Sequence, residues 1–456
     1  MSTAVGTARS TLARTGSARL LATSSLAHFL NDGVVFFIPV VGDLLSQDHG
    51  TSTAVVTAML TIFYVASAGF GIAVGLAADS LGRRGPMMAV GIGTLGVSLL
   101  GFYASLSFSG AGSDVLVLVA AAVAGVGSAF YHPLGGSLLQ LGFPASARGR
   151  ALGINGAFGS LGRALYPALF FMIAALGISK PATTVVFAVL SLLAAVVVAF
   201  GLPAQLPGRA LPAGAGAEPA VADPPGGGAE PALARSSAGP PGEGAGVPDP
   251  QPAQATLRSL LTRSVLGLMG ISFFRSLAFI GVVSWIPIYL TTERHAGLST
   301  SLGVAVTVMY AGGIVGQPLF GLLADRFDKR VVLALDSLGS AGGVYLFLST
   351  SGDGAGALFA LAVFGMFTFS GFPLLMSLAA DYVPKRSSTT GNALVWGVGS
   401  TGGQALGPLT ASLLMGGSHA HLGTAFAILG AVAAATVLAT PLLERTRRSS
   451  RMALFG

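Results

Sequence analysis

The ten residues GLAADSLGRR at Gly75–Arg84 return as GLLADRFDKR at Gly321–Arg330, 246 positions later, and each copy lies between long apolar stretches. A Gly-x-x-x-Asp segment with trailing basic residues, used twice inside an apolar chain, restricts the fold to two related halves. Repeats of this kind in hydrophobic chains are the sequence trace of many membrane transporters.

The apolar stretches set the length of each element. Runs of about 20 apolar residues cross a bilayer as helices, and twelve such runs are present, at 20–45, 53–78, 86–107, 115–141, 150–177, 182–202, 263–290, 300–323, 331–350, 355–380, 387–415 and 421–443. The predicted fold is therefore an all-α membrane protein of twelve spans in two six-helix bundles, 20–202 and 257–443. Hydrophobic residues make up 52% of the chain and charged ones only 9%, against about 25% charged in a soluble domain. The first run is too long for a cleaved signal peptide and contains Asn31 and Asp32.

Charge placement orients the spans. With both termini in the cytoplasm, 20 of the 24 Lys and Arg residues fall in cytoplasmic segments. Lys180 and Arg294 fall on the opposite side, and Arg163 and Arg275 fall inside predicted helices. That asymmetry follows the positive-inside rule and accounts for the net charge of +7 without nucleic acid. Residues 1–19 read as a cytoplasmic tail and 444–456 as another. Residues 203–256, rich in Pro, Gly and Ala, read as a disordered cytoplasmic linker. The halves also align outside the loop: Pro133, Ser137 and Pro144 match Pro373, Ser377 and Pro384 at an offset of 240, and GRALYP at Gly162–Pro167 matches GQALGP at Gly403–Pro408.

Ionisable residues at mid-membrane depth mark candidate sites. Arg163 and Arg275 each lie about 12–13 residues inside their helices, roughly 18–20 Å deep at 1.5 Å per residue. They belong to different halves, so two guanidinium forks can grip one phosphonate, phosphate or carboxylate between the bundles. Asn155 and Gly159 share a helix face with Arg163, and Asn155 and His132 are expected to bind substrate. His28 and Asp32 share a face of the first helix. Asp32 is the expected proton carrier, with His28 and His132 assisting. The opposing possibility is a static Asp32–Arg pair that holds helices together. Tyr131, Trp285, Tyr289, Tyr310, Gln317, Asn392, Trp396 and Gln404 are expected to line the cavity, and Asn31 to bind substrate. Asp336 is expected to reach only the cytoplasmic interface, and Asp381 to end the tenth helix. In the loops, Gly75 and Gly321 allow close helix approach. Asp79 and Asp325 can meet basic residues or a helix N-terminus, which makes Arg83, Arg84, Arg326 and Arg330 candidate members of a conformational latch.

The twelve runs, the central linker and the paired loops resemble the major facilitator superfamily over about 20–443. HFLNDGVVFFIPVV (His28–Val41), GSAFYHPLGGS (Gly127–Ser137) and Arg275 ahead of SWIPIYL (Ser284–Leu290) resemble its fosmidomycin-resistance branch. That resemblance implies proton-coupled efflux of a small anionic drug by a monomer of the cell membrane. GSLGRALYP departs from the drug-antiporter signature of the fifth helix by placing Arg163 within it. Import or exchange of an organic anion, and a receptor that binds without translocating, remain open alternatives. No HExxH, GxSxG or GxxxxGK[ST] motif is present, so no enzyme activity, cofactor or metal is expected.

Overall fold

The computed structural model describes residues 2–203, 256–294, 300–352, 354–416 and 419–445. Apart from its two end residues, the expected linker lies outside the described residues, as does the C-terminal tail from residue 446. Six long helices form the first half: α1 (Ser2–His49), α2 (Thr53–Leu81), α3 (Arg84–Ser107), α4 (Ala111–Gly142), α5 (Ala145–Ala175) and α6 (Lys180–Gly201). The second half contains α7 (Arg263–Thr292), α8 (Thr300–Arg326), α9 (Lys329–Ser349), α10a (Ala355–Thr368), α10b (Gly371–Tyr382), α11a (Ser388–Asn392), α11b (Gly402–Met415) and α12 (Leu422–Ala435). A π-helical segment, Ala393–Thr401, joins α11a to α11b. Eleven spans among the described residues are long and apolar enough to cross a membrane. The twelfth expected span is this interrupted α11. The backbone of α1 is already helical at Ser2, while the stretch long and apolar enough to cross a membrane begins at Gly16.

The helices are arranged inside out relative to a soluble core. On α6, Phe187, Ser191, Ala194 and Val198 repeat at helical spacing and are buried, whereas Leu193, Val196 and Phe200 are 60, 54 and 78% exposed. A bilayer imposes no penalty on such an exposed face, and it requires backbone polar groups to be satisfied within each helix. Glycines set the closest approaches. A Cβ on Gly162 of α5 would meet the Phe29 carbonyl carbon of α1 at 2.9 Å, and one on Gly403 of α11b would meet that of Phe273 of α7 at 2.9 Å. The GRALYP and GQALGP repeats thus perform the same packing task in each half.

The tenth span breaks at Phe369–Ser370. Pro373 lacks an N–H and crowds the carbonyl four residues earlier, that of Phe369. Pro133 occupies the matching place in α4, which stays continuous. The tenth span differs in having Ser370-Gly371 where α4 has Phe130-Tyr131, and in Arg275, whose Nη2 donates to the Phe367 and Thr368 carbonyls at 3.0 and 2.9 Å and so caps the end of α10a.

Candidate functional site

Between the halves lies a small cavity of about 40 Å³. Arg163 and Arg275, expected as a pair from their depth alone, both line it, with His28, Asp32, His132, Gln317, Trp396 and Gln404. Each guanidinium is matched with a buried carboxylate of its own half. Arg163 Nη1 lies 2.8 Å from Asp32 Oδ2, and Arg275 Nη2 lies 2.6 Å from Asp336 Oδ2. This corrects the expectation for Asp336. It is fully buried rather than interfacial, and its Oδ1 has no hydrogen-bond partner among the described residues. The Nε atoms of Arg163 and Arg275 are likewise buried and without hydrogen-bond partners there. An isolated charge in such surroundings would be costly, so the pairs keep both cations in place.

Aromatic faces complete the setting. The Arg163 guanidinium carbon lies 5.3 Å from the Phe36 ring centroid and 4.7 Å from that of Phe369, and the Arg275 carbon lies 5.7 Å from that of Phe279. Such contacts stabilise a desolvated cation. Phe36 of α1 meets Tyr310 of α8 with centroids 5.2 Å apart, joining the halves on the side of the cavity away from the Gly-x-x-x-Asp loops.

Asp32 is the hub of a buried network. Its Oδ1 accepts from Asn31 Nδ2 at 2.9 Å and lies 3.6 Å from His132 Nε2, and its Oδ2 lies 3.3 Å from His28 Nε2. His28 Nδ1 sits 2.9 Å from the Asn155 backbone oxygen. That oxygen can only accept, so Nδ1 carries a hydrogen. Nε2 then faces the Asp32 carboxylate, and a further proton can be held between them. Tyr131 Oη donates to Asn155 Oδ1 at 2.8 Å, and the His28 and Tyr131 rings stack at 4.5 Å. Tyr131, Asn155 and Asn31 therefore stand behind His28 and Asp32, off the cavity wall where they were expected. The His28 ring occupies the space that the absent side chain of Gly159 leaves. The ligand atoms of His28, Asp32 and His132 lie within 4.8 Å of one another, and Arg163 Nη1 approaches the same carboxylate.

Two expected residues fall elsewhere. Trp285 Nε1 donates to the Pro408 carbonyl at 3.2 Å. Tyr289 packs on Phe347 and Phe426. Both lie well beyond Arg275 along α7, which carries them past the cavity.

A family profile described as Major Facilitator Superfamily matches residues 21–408, with a second match at 298–453. The chain belongs to the Major Facilitator Superfamily. The glucose-6-phosphate exchanger SLC37A1 of Mus musculus is 31% identical over 179 residues, 36% of this chain and 33% of the relative. The multidrug resistance protein MdtG of Salmonella paratyphi C is 30% identical over 169 residues, 35% of this chain and 39% of the relative. These alignments thus span only about a third of the relatives' length. The solved structure of the proton:xylose symporter XylE, bound to 6-bromo-6-deoxy-D-glucose, superposes with a TM-score of 0.68 at 15% identity, covering 93% of this chain and 95% of that one. At that identity the likeness concerns the superfamily fold.

The superfamily's paired loops close one side of the cavity by a symmetric exchange. Asp79 at the end of α2 accepts from the Thr389 and Thr390 amides of α11a at 3.2 and 2.8 Å. Asp325 at the end of α8 accepts from the Gly149 and Arg150 amides of α5 at 2.8 and 3.0 Å. Each half's loop carboxylate therefore sits at a helix N-terminus of the other half, where the helix dipole favours it. Arg84 braces Asp79 at 2.7 Å, and Arg150 lies 3.3 Å from Asp325. Gly75 lets α2 meet α11a, since a Cβ there would lie 2.9 Å from Thr390 Cα. Gly321 likewise packs on Gly149 and Gly153. Of the other expected latch members, Arg83 and Arg326 are exposed, and Arg330 bonds Asp328 and the Leu443 carbonyl within its own half. Sequence reasoning missed Arg150 and Gln140. Gln140 Nε2 donates to the Met376 carbonyl at 2.6 Å and to Asn392 Oδ1 at 3.0 Å, so Asn392 seals the floor of the cavity below its wall. Lys329 and Arg148 flank Asp381 of α10b on the same side.

Proposed function

We propose that this protein is a secondary transporter, and not an enzyme, that carries a small organic anion bearing a phosphate or phosphonate group through the membrane by alternating access. The observation that carries the reading is the pair of cavity-lining guanidiniums, Arg163 and Arg275, contributed by opposite halves and each with a buried Nε that lacks a hydrogen-bond partner among the described residues. Planar forks of this kind suit bidentate recognition of phosphate-like groups. Likeness to a glucose-6-phosphate exchanger supports the same ligand chemistry, as does resemblance to the fosmidomycin-resistance branch. On this reading the Gly-x-x-x-Asp loops face the cytoplasm of the cell membrane, as the Lys and Arg distribution favours. The latches hold that side closed in one state and part in the other. The protein works as a monomer.

Asp32 and the anion compete for Arg163. When the anion takes the guanidinium, Asp32 loses its strongest partner, and a proton shared with His28 replaces it. Proton and anion therefore load together, which favours uptake or exchange of an anion. Proton-driven drug efflux is the second reading, and likeness to MdtG supports it. The test is flux of glucose 6-phosphate and of fosmidomycin in proteoliposomes under an imposed pH gradient, with the gradient set in each direction. Flux of either compound that is abolished in Arg163→Ala and in Arg275→Ala supports the anion clamp, and wild-type flux in both variants overturns it. Accumulation on the alkaline side identifies joint loading, and accumulation on the acidic side identifies efflux by exchange.

A further inference from the structure

We infer that Asp336 is a second proton acceptor, so that a doubly charged anion crosses together with two protons and the cycle moves no net charge. The inference rests on the anion-clamp reading and extends it to charge state and stoichiometry.

Asp336 has no counterpart in the network around Asp32. It lies on α9, in the other half, fully buried. Its contact with charge is Arg275, at 2.6 Å. The segments packed against α9, which are α8, α10a, α10b, α12 and the turn at Thr436–Leu442 that follows it, bring no other charged or titratable group to bear on it among the described residues. Its own helix offers Ser340, which is committed to the Asp336 backbone carbonyl. Its Oδ1 has no hydrogen-bond partner among the described residues.

Arg275 divides its donors between two tasks. Nη2 holds Asp336 and the two carbonyls that end α10a, while the guanidinium also lines the cavity. An anion that draws Arg275 inward takes away the single countercharge of Asp336. A bare carboxylate left in that position would be an uncompensated buried charge, and the proton that neutralises it comes from cavity water. Protonated Asp336 in turn leaves Arg275 free for the anion. Binding of anion and proton is therefore mutually favourable, as linkage requires.

The charges then balance. With the cavity empty and deprotonated, Arg163 with Asp32 and Arg275 with Asp336 sum to zero. With a dianion bound, one proton at Asp32 and His28 and one at Asp336 restore zero. Both the loaded and the empty cavity cross the low-dielectric interior neutral, which avoids the penalty of moving a charged cavity through it. Phosphate monoesters and phosphonates suit this balance, because they carry close to two charges near neutral pH.

The experiment measures the substrate gradient that an imposed pH gradient sustains in proteoliposomes holding the full chain. Radiolabelled glucose 6-phosphate is the probe, and the membrane potential is clamped with valinomycin and potassium. One pH unit should sustain a gradient of about a hundredfold in the dianion, two factors of ten for two protons, and it should be unchanged when the potential is altered. Asp336→Asn should lower the gradient to about tenfold and make it sensitive to potential, since one proton then accompanies two negative charges. In parallel, infrared difference spectra on adding inorganic phosphate to the purified protein should show a protonated carboxyl band that is missing in Asp336→Asn. A tenfold gradient with potential-dependent flux in the unmodified protein overturns the second proton site alone. Absence of both flux and phosphate binding overturns the anion clamp, and the second site falls with it.

Discussion

Gln317 of α8 donates from Nε2 to Ser160 Oγ of α5 at 2.8 Å, and the same oxygen accepts from Arg163 Nη2 at 2.6 Å. A residue of one half therefore orients the guanidinium of the other without touching it. Gln317→Ala and Ser160→Ala should each weaken binding of an anionic probe about 2- to 10-fold, the worth of about 0.5–1.5 kcal/mol for a hydrogen bond. The melting temperature should change little. Isothermal titration with glucose 6-phosphate checks both, and unchanged affinity in both variants would show that Arg163 is held by Asp32 alone.

The loop latches predict controlled access. The chain has no cysteine, so a single Cys at Ser128, on the cavity wall, reports on exposure. Asp325→Ala or Asp79→Ala should raise its labelling by a thiol reagent supplied from the loop side about 5- to 150-fold, the range of couplings of 1–3 kcal/mol. Labelling that stays slow in the double variant would show that the seal at Gln140 and Asn392 suffices.

The Arg275–Asp336 pair predicts strong non-additivity. Arg275→Gln alone leaves a buried carboxylate and uncaps α10a, and should cost about 3–5 kcal/mol. Adding Asp336→Asn should recover a large part of that loss, because the remaining groups are neutral. Thermal unfolding in detergent measures the cycle, and a double variant no more stable than Arg275→Gln would assign the damage to the freed carbonyls of Phe367 and Thr368.

Asp328 gives a pH signature outside the spans. Its side chain accepts from Arg330, both from the side chain and from the backbone N–H at 3.0 Å, and the hydrogen bond from the Arg330 side chain holds its carboxyl below the ordinary carboxylate range. A depressed carboxylate contributes stability above the unfolded value, about 3.9, and loses it as pH falls through the folded one. Asp328 also caps the N-terminus of α9. Asp328→Ala should therefore lower stability by about 1 kcal/mol at pH 7, with the difference narrowing as the solution is acidified below pH 4. A gap that stays constant down to pH 2 would contradict this assignment.

The architecture was legible because lipid contact writes itself into every span. The runs on α6, exposed at Leu193, Val196 and Phe200, are apolar on the outside as well as the inside, which no soluble helix tolerates. Arg163 and Arg275 stood out for the complementary reason, since charge at mid-depth needs a cavity. Asp336 did not stand out. Depth counted along α9 alone placed it near the edge, and the reach of a guanidinium from α7 is not visible in a single helix. The break in the tenth span was only partly visible. Pro133 and Pro373 correspond, but Ser370-Gly371 stands where the fourth span has Phe130-Tyr131, and the guanidinium of Arg275 packs where a side chain on Gly371 would lie. Trp285 and Tyr289 were misplaced because aromatic residues near a span's end serve packing as readily as ligands.

The two latches grip main-chain amides, so part of each contact survives any substitution that keeps the N–H, and proline, which deletes the donor, is the exception. Side chains add to that grip: Thr390 Oγ1 also donates to Asp79 Oδ2 at 2.9 Å, Thr389 Oγ1 accepts from Arg84 Nε at 2.9 Å, and Arg150 lies 3.3 Å from Asp325. Asp79 and Asp325 have no such freedom. A saturation library across these five positions would be expected to return two intolerant letters and three graded ones, a grammar written first by backbone geometry and only then by side-chain identity.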